Sequence, residues 1–279
     1  MLFLKTYKYN NFYVTLETKT ISNMKRFVCL AAASLLLVSC GTLNTTRLMQ
    51  GAAYATQALM LPEADVISYV QQYITSLDAK STVLPESNAY TKRLRNLTGK
   101  LTQVGDINLN YKVYQDKEVN AFACADGSVR VYTGIMDVMN DEQLLSVIAH
   151  EIGHVALKHT YNQMRNSMLT SAAFEGLAAT SDKVAVLTDS QLGAIGQTMI
   201  NNHFSKKQET QADEFSYEFL VASKRNPWVM VQAFEKLQQV SGGSSVAGPV
   251  SSLFSTHPDT ATRIKTISAL CERDGFKRP

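Results

Sequence analysis

The chain has 279 residues, 45% of them hydrophobic and 18% charged, which is enough for one sizeable domain with a buried core and excludes a disordered composition. The formal charge of +3 is an end effect: up to Cys40 there are five basic residues and one acid, and without them 22 bases face 23 acids. That balance gives nucleic-acid binding no electrostatic support.

Met24-Lys25-Arg26 and the apolar run from Phe27 to Ser39 make a basic start followed by a segment too short to span a membrane comfortably, so 24–39 is expected to be a secretory signal. Its end, Leu37-Val38-Ser39-Cys40, looks like a bacterial lipobox, with Cys40 the lipidated first residue of the mature chain. Residues 1–23 lie upstream of this complete signal and are expected to reflect a start assigned too early, with Met24 the true one. Small and polar residues make 40–60 a tether. Beyond the signal the chain has no stretch of 18 or more apolar residues, so membrane attachment is expected through lipid, and Gly41 rather than an acid after the cysteine favours the outer membrane. Cys124 and Cys271 remain as an even pair in an oxidising compartment, either as one disulfide or as two free thiols.

Pro62-Glu63-Ala64-Asp65 predicts a helix start, with Val66, Tyr69, Val70, Tyr73 and Leu77 on one face. Pro85 and Glu86 open a second helix through Leu101, with Tyr90, Leu94 and Leu97 inward. Between Ile107 and Thr133 the period changes around Asp126-Gly127 and predicts a small antiparallel sheet with a hairpin. Residues 161–200 read as helices with a mobile loop, and Ser241 to Pro249 as a flexible loop delivering His257. The sum, over 61–279, is an α+β, mainly helical domain.

His150-Glu151-Ile152-Gly153-His154 places two imidazoles one helical turn apart on one face, with a carboxylate beside the first, behind a run that starts acidic and continues apolar. The plain alternative is a core helix with two buried histidines. A zinc hydrolase needs a third protein ligand and leaves a fourth position for water. Glu209 is the candidate, on an amphipathic helix marked by Phe204, Ala212, Phe215 and Phe219, with Asp213 one turn later on the same face. His159, five positions beyond His154, falls off that face and reads, like His203, as structural or solvent-facing.

These motifs, together with Glu209-x-x-Ala212-Asp213, Thr256-His257-Pro258 and Arg263 six residues after His257, resemble the HtpX-like zinc metallopeptidases, most of all their lipoprotein members. Tyr111–Tyr114, Val119–Ala123, Val129–Gly134 and Ser190–Gly193 carry the closer match. Gln211 and Lys206 depart from it, a second acid and an arginine being usual there. The resemblance implies a zincin-like fold and one Zn2+ per chain, held by His150, His154 and Glu209, with Glu151 as general base and Asp213 fixing a liganding histidine. It implies an endopeptidase acting on unfolded or misfolded envelope proteins, with envelope partner proteins conceivable; the rival is a latent chaperone or scaffold on the same fold. A substrate strand would join an edge at Asn120–Ala123, unless that is an ordinary core strand. His257 would lie near zinc, either as an oxyanion donor or as a fourth ligand that keeps the enzyme latent, unless it is a surface histidine.

Overall fold

The computed structural model describes residues 2–9, 12–19, 62–170, 186–201, 203–242, 257 and 259–279. The signal, Cys40, the tether and residues 243–249 of the glycine-serine loop lie outside them. Leu2–Tyr9 (β1) and Phe12–Lys19 (β2) pair antiparallel, with Leu2 opposite Lys19.

Helix α1 (Glu63–Lys80) starts after Pro62 and buries Val66, Tyr69, Val70 and Ile74. Helix α2 (Ala89–Thr98) begins later than Pro85 suggests, because the Asn88 side chain accepts from the Tyr90 amide and caps it. After the short pair β3 (Gln103–Val104) and β4 (Ile107–Asn108) come β5 (Asn110–Tyr114), β6 (Ala121–Ala123) and β7 (Ser128–Tyr132), ordered β5-β7-β6 in one sheet.

The hairpin between β6 and β7 is the expected one, with Phe122 opposite Arg130. Gly127 turns it at φ +86°, and a Cβ there would lie 2.1 Å from the Asn108 carbonyl oxygen, so only glycine fits. The sheet is not wholly antiparallel, however: β5 runs parallel to β7, with Tyr111 opposite Val129. The chain leaves β5, crosses to the far edge to form β6, and returns through the hairpin into the middle. Alternation in sequence reports which face a residue takes, not the direction of its neighbour strand.

Helix α3 (Thr133–Val138) leads to α4 (Asp141–Ala156), which Asn140 and Gln143 start with a capping box. Every residue of α4 from Leu144 to Val155 is buried, so this helix is the axis of the domain. The sheet covers one side of it. On another lie α7 (Lys206–Ala222), α8 (Trp228–Gly242) and α9 (Thr260–Arg273), which complete the main core. Helix α8 continues to Gly242, past the start expected for the loop at Ser241. Helices α5 (His159–Thr170) and α6 (Asp189–Asn201) pack on α1 around a smaller satellite core.

The disulfide does not form. Cys124 is buried in the satellite core and Cys271 in the main core, and neither is part of a disulfide. Among the described residues no helix is long and apolar enough to cross a membrane.

Candidate active site

Helix α4 presents His150 and His154 one turn apart, both buried, with Glu151 beside them. Opposite them stands α7, started by a second capping box between Ser205 and Gln208, which aims Glu209 and Asp213 at α4. The two helices approach closely at Gly153, where a Cβ would lie 3.1 Å from Phe215 Cβ and 3.2 Å from Ala212 Cα. Arg263 comes in from α9 and His257 from three residues ahead of its start. Asp259, in a left-handed conformation, accepts a 2.7 Å ion pair from Lys206, joining the starts of α7 and α9.

The Nε2 atoms of His150 and His154 lie 3.1 Å apart, and each is 3.5 Å from a Glu209 oxygen. His257 joins them: its Nδ1 is 3.0 Å from Glu209 Oε1 and 3.3 Å from His150 Nε2, and its Nε2 is 3.4 Å from Glu151 Oε1. One ligand atom from each of His150, His154, Glu209 and His257 falls within 4.8 Å of the others. Behind this group, His150 Nδ1 lies 2.9 Å from Asp213 Oδ1. Arg263 clamps Asp213 through Nε at 2.7 Å and Nη2 at 2.6 Å, sets Nη1 2.7 Å from Glu209 Oε2, and rests over the Phe234 ring.

The electrostatics follow from burial and pairing. Burial opposes ionisation of Asp213 and Glu209, yet Arg263 holds the first below the usual carboxylate range, and His257, His150 and His154 hold the second well below it. Burial and Arg263 push His150 down, but Asp213 and Glu209 outweigh them and lift it to about 9, whereas burial dominates at His154 and pushes it well down. Glu151 is raised, chiefly by burial, and its Oε1 is buried without a hydrogen bond.

Three buried carboxylates, Glu151, Glu209 and Asp213, thus face one buried guanidinium. Fully ionised, and with the imidazoles neutral as ligation requires, they leave two negative charges in a buried site, which a divalent cation offsets. The donor set of two imidazoles and a carboxylate converging on one point therefore fits a metal in both geometry and charge.

Two residues go beyond the sequence reading. Arg263 was legible only as part of a motif, and nothing in its spacing disclosed that it locks Asp213. His159 takes the structural of its two readings: it is buried, with Nδ1 3.0 Å from His154 Nδ1, and burial lowers it to about 4. His203 is exposed, as expected. Beside Glu151 and His150 an apolar pocket opens to solvent between α4 and α8, lined by Val147, Met230, Ala233, Phe234 and Leu237.

The model of peptidase family M48 matches residues 88–271. The chain belongs to this family. The M48 peptidase is similar to Metalloprotease LoiP of Escherichia coli K12, 37% identical over 242 residues that cover 86% of this chain and 94% of that one. It is also similar to Metalloprotease YcaL of the same organism, 34% identical over 251 residues, 88% and 97% of the two chains. The beta-barrel assembly-enhancing protease of E. coli O157:H7 is 30% identical over 165 residues, 56% of this chain and 33% of that one. The M48 peptidase is accordingly a metallopeptidase with a zincin-like arrangement of His150, His154 and Glu209.

Proposed function

We propose that this M48 peptidase is a zinc-dependent endopeptidase of the bacterial cell envelope that degrades unfolded or misfolded envelope proteins. The observation that carries the reading is the buried group His150, His154 and Glu209 beside a carboxylate oxygen of Glu151 that has no hydrogen-bond partner. Location rests on the signal at 24–39 and on Cys40 as the lipid anchor, with the outer membrane favoured by Gly41.

When bound at His150, His154 and Glu209, zinc supplies Lewis acidity and brings the pKa of water to about 7. Glu151 is the general base: its carboxylate takes the proton of the attacking water and delivers it to the departing amine nitrogen. A pKa raised by burial brings that carboxylate closer to the working pH and suits both transfers. Asp213 accepts the proton-bearing Nδ1 of His150 and leaves the Nε2 lone pair facing the site. Strand β6 is the edge of its sheet and packs against α4, so an extended peptide can add to it by backbone bonds. The neighbouring cavity then receives an apolar side chain next to the scissile bond. Backbone recognition plus an apolar pocket selects chains that are unfolded, because folded proteins offer neither.

His257 stands among the ligand atoms, which favours the fourth-ligand role over the oxyanion role. In that role it takes the place of the water and holds the enzyme latent, so His257→Ala is expected to raise turnover. A purified variant with wild-type zinc content and unchanged turnover would eliminate both roles. The proposed function itself is tested with Glu151→Gln, which is expected to keep its zinc and lose casein cleavage by at least about 100-fold. A variant that retains zinc and full cleavage would overturn the role of Glu151. A wild-type chain whose casein cleavage survives chelation would overturn the metal reading.

A further inference from the structure

The end of α4 is shaped to bring one more imidazole to the site. Helix α4 stops at Ala156, and Lys158 reverses the chain in a left-handed conformation at φ 58°, a position that glycine usually fills. Lys158 is tied to α1 by a 2.7 Å pair with Glu63. The reversal starts α5 with His159 folded back beneath His154, buried, and with the two Nδ1 atoms 3.0 Å apart. His154 is also stacked on Phe204, the ring centroids 3.7 Å apart at 23°.

The proton positions follow from the geometry. His154 points Nε2 at His150 and Glu209, so that nitrogen must carry the lone pair if it is to hold a metal. The proton then sits on Nδ1 and needs an acceptor, since a buried N–H without one is costly. His159 Nδ1 is at the right distance, which places the proton of His159 on its Nε2; the ring also hydrogen-bonds the Gln211 side chain. The two histidines of the site are thus held differently. His150 has a carboxylate, Asp213, and His154 a neutral imidazole. That difference preserves the charge balance, because another carboxylate in the place of His159 would add a third uncompensated negative charge.

We propose that His159 is a positioning residue for the metal site: it accepts the Nδ1 proton of His154, fixes that ring's tautomer, and with the Phe204 stack fixes its orientation. The inference rests on His154 being a metal ligand. His159 touches neither substrate nor metal, and its effect is read in metal affinity rather than in the chemical step.

The test is a Zn2+ titration of the full chain in detergent against a chromogenic chelator. It compares wild type with His159→Phe, which keeps a buried ring without an acceptor, and His159→Asn, whose amide oxygen can accept. His159→Phe is expected to bind Zn2+ about 10- to 100-fold more weakly, and His159→Asn to recover most of that loss. Cobalt substitution gives an independent signature, with the visible bands of the Co2+ form displaced in the Phe variant and restored in the Asn variant. His159→Leu serves as the non-accepting variant if phenylalanine prevents folding, as judged by melting of the metal-free proteins. Wild-type Zn2+ affinity in the non-accepting variant overturns the proposal. So does an Asn variant as weak as that one, because the ring's shape and not its hydrogen bond would then matter. A wild-type chain that binds no Zn2+ overturns the ligand reading as well, so the two failures are distinguishable.

Discussion

Arg263→Met is the sharpest probe of how the site is held together. Methionine keeps an unbranched side chain that can lie on Phe234, while the guanidinium that clamps Asp213 at 2.6 and 2.7 Å and approaches Glu209 at 2.7 Å disappears. At a charge separation of about 4 Å and an effective permittivity of about 20, each such pair is worth about 4 kcal/mol. Both carboxylates stay buried after the substitution, Asp213 at 5% exposed and Glu209 at 1%, so water cannot replace the lost partner. Removing one member of a buried pair costs about 3–5 kcal/mol, a third or more of the stability of an ordinary domain. Urea denaturation of the metal-free protein is the assay, run as a cycle with Asp213→Asn and the double variant. The double variant is expected to be less destabilised than the sum of the single ones by about 2–3 kcal/mol. A cost under about 1 kcal/mol for Arg263→Met, or strict additivity in the cycle, would refute the account of Arg263 as the counter-charge of the site.

Gly153→Ala must push α4 and α7 apart by a few tenths of an ångström, since its Cβ would meet Phe215 and Ala212 at 3.1 and 3.2 Å. A loss of about 1–3 kcal/mol in thermal unfolding and weaker metal binding are expected. Ala233→Leu fills the cavity beside Glu151, and cleavage-site mapping on a peptide library should show bulky apolar residues at the scissile bond disfavoured by about 10- to 100-fold. Asp78 carries a pH dependence: burial raises its pKa, but bonds from Arg130, Lys112 and Tyr114 outweigh it and hold the carboxyl below the usual range. Its stabilisation is therefore complete above the unfolded pKa of about 3.9 and lost as pH falls through the folded value. Asp78→Asn, which leaves the buried Arg130 without its anion, should cost about 3 kcal/mol at pH 7 in urea denaturation and flatten the fall below pH 4.

The parts of the site that sequence disclosed are those written in local periodicity. His150 and His154 lie one turn apart on one helix face with Glu151 beside the first, and Glu209 and Asp213 share a face of another helix, so spacing alone paired the members of each group. That the two faces meet depends on Gly153, whose missing side chain is visible in sequence but whose partner is not. The hairpin at Asp126-Gly127 was legible for the same local reason. The parallel pairing of β5 was not, because no residue in β5 records which strand will lie beside it. His159 was rightly read as off the ligand face, but its place beneath His154 was not legible, because its position was counted as though α4 continued. The break at Lys158 has neither glycine nor proline to announce it, and a lysine in the left-handed region looks like any other lysine.

The separation in sequence of the groups that meet at the site has a consequence for how the protein comes into being. His150 touches His257 across 107 residues and Arg263 across 113, whereas its approach to His154 spans one helical turn. Closing loops of that length is an entropic cost met late in folding, after local helices and hairpins have formed. On a ribosome, the strand of the chain bearing Arg263 emerges long after α4, so a growing polypeptide holds the histidine pair and Glu151 without the cation that balances its carboxylates. The cation that balances the buried carboxylates of the site therefore joins it only once α9 has been made and docked.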